Sequence, residues 1–88
     1  MKKNENGLWD KLQLPKDITH GSFILTAIGK EELYIENYKG ILEYNENCIR
    51  IQGKNTYILI EGRHLKIDHY TEEDMLIKGR ILSIQYPS

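Results

Sequence analysis

The sequence has few of the features that mark secreted or membrane-spanning proteins. Its single cysteine, Cys48, excludes a disulfide within the chain. The longest uninterrupted apolar run is Tyr57-Ile58-Leu59-Ile60, far below the roughly 20 residues that span a bilayer. No apolar segment follows the lysines near the N-terminus, so we expect neither a signal peptide nor direct membrane insertion. These absences favour a cytoplasmic protein.

The sequence also lacks an excess of either positive or negative charge. The formal net charge of −1 is too small to attract nucleic acid or anionic lipid by itself. Hydrophobic residues at 40%, charged residues at 28% and only two prolines are typical of a globular chain. We predict one domain over residues 1–88. A chain of this length buries only about 60–65% of its unfolded surface, so its core is thin and a partner would help to stabilise it.

The N-terminal residues precede the main pattern of the chain. Residues 1–7 are polar, and we expect them to be disordered. Apolar residues three and four apart, including Trp9, predict a short helix over residues 8–14 that ends before Pro15. This helix would pack on the sheet of the domain or, alternatively, dock onto another protein.

From Ser22 to Tyr86 the chain alternates between apolar and polar residues, in short runs separated by turn residues. Connections of about two to four residues favour hairpins over parallel crossovers. We therefore predict an all-β fold, an antiparallel meander of about seven or eight short strands over residues 22–86 that forms a small sandwich or roll. The nearly continuous apolar run over residues 56–61 predicts a central strand covered on both faces.

An internal echo suggests a second β architecture. Residues 60–67 and residues 77–84 share the pattern Ile-charge-Gly-Arg-x-Leu-x-Ile. Two such copies could be turns of a β-solenoid-like stack, which is the alternative to the meander. In both architectures, a glycine between two alternating runs marks a bend or bulge.

No pattern of catalytic or metal-binding residues is evident. His20, His64 and His69 could join Cys48 around a zinc ion, but only His64 and His69 are suitably close in sequence, and their odd spacing on a strand points them to opposite faces. Cys48 has no histidine within local reach that would activate it as a nucleophile. The acidic run over residues 72–74 is typical of a solvated loop. We predict no enzymatic activity, no metal and no cofactor.

Binding of single-stranded nucleic acid is the alternative function. Six tyrosines interleaved with lysines and arginines on a sheet could form the stacking platform of an OB-like module. However, acidic residues occupy the same strands, and tyrosine is common on half-buried sheets because of its β-propensity. We therefore favour a protein partner, or further copies of the chain, over nucleic acid.

The segment over residues 35–44 is the candidate interaction site. We predict a hairpin whose turn uses Asn37 and Gly40, because both residue types tolerate positive φ. Open sheet edges invite strand addition, and aromatic residues are enriched in interface cores. Alternatively, the tyrosines cover the domain's own core. The candidate residues are Ile35, Glu36, Asn37, Tyr38, Gly40, Leu42 and Tyr44.

The same segment carries a family resemblance. Residues 35–44, Ile-Glu-Asn-Tyr-Lys-Gly-Ile-Leu-Glu-Tyr, resemble the central motif of the YabP/YqfC family of sporulation proteins. The entry segment over residues 12–18, Leu-Gln-Leu-Pro-Lys-Asp-Ile, resembles the family too. The likeness covers about residues 8–86 and is closest to the YqfC branch.

The resemblance implies a function without catalysis. Family members are tied to endospore formation, so we expect an assembly or interaction module in spore envelope or coat development. The implied location is the mother-cell cytoplasm, at the forespore surface. The implied partner is the membrane sporulation protein YqfD, and no catalytic residue or cofactor comes with the family.

Overall fold

The computed structural model describes residues 21–87 as one sheet of six strands in the order β1-β2-β6-β5-β4-β3. Every pair of neighbouring strands is antiparallel, which confirms the antiparallel all-β prediction and makes the β-solenoid alternative wrong. The strands are β1 (Ile24–Ile28), β2 (Glu32–Glu36), β3 (Gly40–Tyr44), β4 (Cys48–Gln52), β5 (Tyr57–Tyr70) and β6 (Asp74–Gln85).

The predicted N-terminal features cannot be compared with the fold. The helix over residues 8–14 and the disordered residues 1–7 both lie outside the described residues. Residues 21–87 form no helix. This part of the chain therefore contains no helix that is long and apolar enough to cross a membrane.

The number of strands differs from the prediction of seven or eight. The apolar runs on either side of Gly62 belong to one strand, β5, and those on either side of Gly79 belong to β6. The pairing of β5 with β6 continues past Gly62, with a bulge between Glu61 and Gly62. The glycines therefore mark bends, as predicted, but they do not end the strands.

The two bends lie against each other. Arg63 pairs with Arg80 across the β5–β6 hairpin, so both copies of the echo meet at one level of the sheet. A Cβ atom on Gly62 would collide with the backbone carbonyl of Arg80. A Cβ atom on Gly79, whose φ is 135°, would lie 2.6 Å from the carbonyl oxygen of His64. The echo therefore reflects a single sharp bend that both strands share.

This bend folds the sheet over a common core. β4 pairs with the first part of β5, whereas β2 pairs with the first part of β6, so the outer strands lie in two different halves. The halves meet where Phe23, just before β1, packs against Gly53, just after β4. Side chains from both halves form one buried cluster, namely Leu33, Ile35, Tyr38, Ile49, Ile51, Ile58, Ile60, Leu65, Met75 and Ile77. The fold is thus a roll made from a single sheet.

The predicted meander is interrupted after β2. β3 through β6 follow one another as neighbours, and so do β1 and β2, but β2 lies beside β6 rather than β3. The run over residues 57–61 is central, between β4 and β6, as predicted. The predicted cover on both faces is wrong, because Ile58 and Ile60 on one face are buried while Tyr57 and Leu59 on the other are half-buried.

The bend predicts a strong dependence of stability on its glycines. Gly79→Ala should lower the free energy of unfolding by about 3 kcal/mol or more, because the new Cβ meets backbone atoms that cannot move aside. Gly40→Ala is the matched control, since a Cβ there meets nothing within 4 Å. That control should change the free energy by less than about 0.5 kcal/mol in urea unfolding. Equal effects of the two substitutions would contradict the bend.

Candidate functional site

The candidate segment over residues 35–44 is a crossover between the two halves of the sheet. Backbone hydrogen bonds to both halves of the sheet fix its middle residues. The backbone N–H groups of Asn37 and Tyr38 donate to the carbonyl oxygen of Glu73, at 2.8 and 3.3 Å, and the N–H of Lys39 donates to that of Gln52 at 2.7 Å. Since β2 and β3 pair with different strands, the predicted hairpin is wrong.

The crossover depends on Asn37 for its conformation. Asn37 has a φ of 66°, a left-handed conformation that asparagine adopts more readily than other side chains. Its buried side-chain Nδ2 donates to the carbonyl oxygen of Ser22 at 3.2 Å. Gly40 has no positive φ and is the first residue of β3. The turn therefore requires the asparagine and not the glycine.

Tyr38 belongs to the core. Its side chain is only 7% exposed, and its hydroxyl donates to the carbonyl oxygen of Thr71. Burial raises the pKa of the Tyr38 hydroxyl, and the neighbouring Tyr70, Asp74 and Glu72 raise this pKa further. Of the two interpretations of the tyrosines, covering the domain's own core is the one that the structure supports at Tyr38.

β3 also runs alongside the second part of β5 without pairing with it. One hydrogen bond joins the two strands directly, from Ile67 N–H to the Tyr44 hydroxyl at 3.0 Å. Two more involve residues that flank the strands: Leu65 N–H donates to the carbonyl oxygen of Glu46, after β3, at 2.8 Å, and the hydroxyl of Tyr38, before β3, donates to the carbonyl oxygen of Thr71, after β5. No Cα atom of β3 lies within 8 Å of a Cα atom of β5, whereas paired strands lie about 4.8 Å apart. Two tyrosine hydroxyls and one turn carbonyl thus form hydrogen bonds across this gap, which we call the seam.

Apolar side chains are exposed around the seam. Ile41, Leu42 and Tyr44 on β3 are 38%, 52% and 49% exposed, and Tyr70 at the end of β5 is 63% exposed. Ile41 and Tyr70 line the same open cleft. We call these four residues the seam surface. Exposed aromatic and aliphatic groups at a sheet edge are typical of a protein-binding surface.

The candidate residues from the sequence divide between this surface and the interior. Leu42 and Tyr44 lie on the seam surface. The other five are either buried, as Ile35, Asn37 and Tyr38 are, or half-buried, as Glu36 and Gly40 are. Sequence analysis missed Ile41 and Tyr70. Tyr70 comes from another strand, and no local pattern indicates that it approaches β3.

Catalytic and metal-binding groups are dispersed over the described sheet. Among residues 21–87 no three histidines, cysteines or acids are grouped to hold a metal ion, and His20 lies outside this part. The imidazoles of His64 and His69 each lie beside one carboxylate, of Glu46 at 3.6 Å and of Asp68 at 3.3 Å. Burial raises the pKa of the Cys48 thiol, the opposite of what activates a nucleophile.

Several basic side chains face acids of the same sheet. The Arg50 Nε lies 3.4 Å from a Glu43 carboxylate oxygen, and its guanidinium lies 5.4 Å from the centre of the Tyr57 ring. The Lys78 ammonium lies 3.9 Å from Glu32 and 4.0 Å from Asp68. This interleaving of charge gives little support to a nucleic-acid platform, which requires basic groups aligned with open aromatic faces.

The seam predicts unequal roles for tyrosine hydroxyls. Tyr38→Phe should lower the free energy of unfolding by about 1–3 kcal/mol, because it leaves a carbonyl without its donor in a mostly buried place. Tyr44→Phe should cost about 0.5–1.5 kcal/mol, because water can reach the freed Ile67 N–H. Tyr86→Phe, at an exposed tyrosine near the C-terminus, is the control and should change it by less than about 0.5 kcal/mol. Urea unfolding that ranks the three equally would contradict closure by these hydroxyls.

The raised pKa of Tyr38 also predicts a loss of stability in alkali. An unfolded tyrosine ionises near pH 10, while the fold favours the neutral hydroxyl. The contribution of Tyr38 is therefore fully present below about pH 10 and is lost as pH rises through the higher folded pKa. The difference in unfolding free energy between the natural chain and Tyr38→Phe should therefore shrink as pH rises above about 10, measured against its value at about pH 8. A difference that stays constant or grows would contradict the raised pKa.

Comparison with known proteins covers the whole described sheet. The model of the YabP family matches residues 20–88. A Bacillus subtilis (strain 168) protein named "Uncharacterized protein YqfC" is 30% identical over 87 residues, which is 97% of this chain and 94% of that protein. No solved structure matches the chain.

Proposed function

Since the chain belongs to the YabP family, as the motif over residues 35–44 predicted, we propose that it is a non-enzymatic sporulation protein. In this proposal it acts as an assembly or interaction module in spore envelope or coat development. The family resemblance supports the sporulation role, and the surface of the roll supports the mode of action.

The seam surface is the observation that carries the proposal. Four large apolar side chains from two strands are exposed around the seam, and two of them, Ile41 and Tyr70, line one open cleft. A domain with so thin a core gains from covering such groups, because burying apolar surface is the main favourable term in association.

The partner in this proposal is the membrane sporulation protein YqfD, which the family resemblance implies. A membrane-bound partner would hold the chain in the mother-cell cytoplasm at the forespore surface. Recognition would rest on shape and apolar contact, because the sequence carries little net charge to direct it.

A substitution on the seam surface tests the proposal. Leu42→Glu should weaken binding to vesicles that carry the YqfD of the same organism by about tenfold or more, because it places a charge in an apolar contact. Leu82→Glu is the matched control, since Leu82 is 60% exposed on β6, away from the seam surface. Co-sedimentation with the vesicles measures both, and vesicles without YqfD report binding to lipid alone.

The same preparation separates the alternatives. The natural chain should hold no stoichiometric zinc by elemental analysis and bind no single-stranded oligonucleotide in a salt-dependent way. Oligonucleotide affinity that falls steeply with salt would replace the proposal with the nucleic-acid function. Equal loss of YqfD binding by Leu42→Glu and Leu82→Glu would show that the seam surface is not the binding site.

A further inference from the structure

The two edges of the sheet are built differently. β3 forms one edge, and it carries a bulge between Ile41 and Glu43, a charged residue, and Tyr44, whose hydroxyl crosses the seam. Bulges, charges and covered backbone are the usual means by which proteins prevent an edge strand from pairing with another chain. This edge is therefore defended by the chain's own residues.

β1 forms the other edge, and none of these defences is found there among residues 21–87. Its sequence, Ile-Leu-Thr-Ala-Ile, contains no charge, proline or glycine. It pairs with β2 in an unbroken register of five residues, so the strand is regular throughout. Among residues 21–87 no strand pairs with its outer side, and Ala27 and Ile28 at its end are exposed. Such an edge favours the addition of another strand.

We propose that β1 pairs antiparallel with β1 of a second copy of the chain, around a two-fold axis at Thr26. The pairing would join two six-stranded sheets into one continuous sheet. The inference goes beyond the proposed function, because it uses the edge opposite to the seam surface and a different partner.

The sequence of β1 is complementary to itself in this register. Ile24 would lie opposite Ile28 of the second copy, and Leu25 opposite its Ala27, so that each large side chain meets an apolar neighbour. No like charges meet within the paired strands, and β-branched residues form favourable cross-strand pairs. A two-fold axis repeats each contact, as isologous dimers require.

The core supports the same arrangement. Leu25 and Ala27 pair with Ile35 and Leu33, both fully buried, so they lie at the margin of the core. Because the side chain of Ala27 is small, the buried residues at this margin have little apolar cover. Leu25 of the second copy would lie beside Ala27 and extend the apolar cover over it. Because only five residues pair on each side, we expect a reversible dimer in the micromolar range rather than an obligate one.

A pair of charged variants tests the axis. Thr26→Lys and Thr26→Glu each place two like charges opposite each other at the axis, so each should weaken dimerisation of the full chain by tenfold or more. An equimolar mixture of the two should restore a dimer, because opposite charges then meet across the same axis. Sedimentation velocity over a range of concentrations measures all three samples. Circular dichroism checks that each variant keeps its sheet.

Leu42→Lys on β3 is the matched control and should leave the dimer unchanged. The natural chain remaining monomeric at high micromolar concentration would overturn the proposal, and so would a dimer lost in Leu42→Lys. Failure of the mixture to dimerise would place the contact away from Thr26 and overturn the register. Hydrogen exchange provides a second measurement, since protection of the β1 amides should rise with protein concentration. Protection already present in the monomer would show that residues of the same chain cover this edge.

Discussion

The close contact of backbones at the β5–β6 bend is the constraint on which the rest of the fold depends. Gly62 and Gly79 leave no room for a Cβ atom, and the carbonyls of Arg80 and His64 occupy the space where side chains would stand. Because both long strands bend at the same level, β4 pairs with β5 on one side of the bend and β2 pairs with β6 on the other. A core then forms between the two halves of one sheet, without a second sheet or a helix to cover it in the described part of the chain.

The bend also explains how much of the fold could be predicted. Alternation along the chain correctly indicates antiparallel strands, since period-two patterning reflects a half-buried pleat. It overestimates their number, because a glycine that bends a strand and a glycine that ends one interrupt the pattern in the same way. The repeated Ile-charge-Gly-Arg motif contained the decisive information, but pairing between its two copies is a long-range property. Local spacing cannot distinguish a shared bend from a solenoid repeat.

The candidate segment shows the same limit at the level of residues. Asn37 correctly indicates a turn with positive φ, yet the hairpin is wrong because turn residues do not specify which strands pair afterwards. Tyr38 and Tyr44 look alike in the sequence, since aromatic residues suit both a core and an interface. The structure separates them by what their hydroxyls reach: Tyr38 donates from inside the core, and Tyr44 accepts from β5 while half its side chain stays exposed.

The hydrogen bonds across the seam make the β3 edge of the sheet different from the β1 edge. A strand paired directly to β5 would bridge the seam with a backbone ladder, but β3 and β5 lie more than 8 Å apart. The seam is bridged instead by the backbone hydrogen bond from Leu65 to Glu46 and by the hydroxyls of Tyr38 and Tyr44. Of the two tyrosines, Tyr44 also presents apolar surface to solvent, whereas Tyr38 is buried. At the opposite edge, β1 has one large exposed side chain, Ile28, and no strand among residues 21–87 pairs with its outer side. One edge thus exposes several apolar side chains beside the seam, whereas the other is a regular strand with an unbroken register.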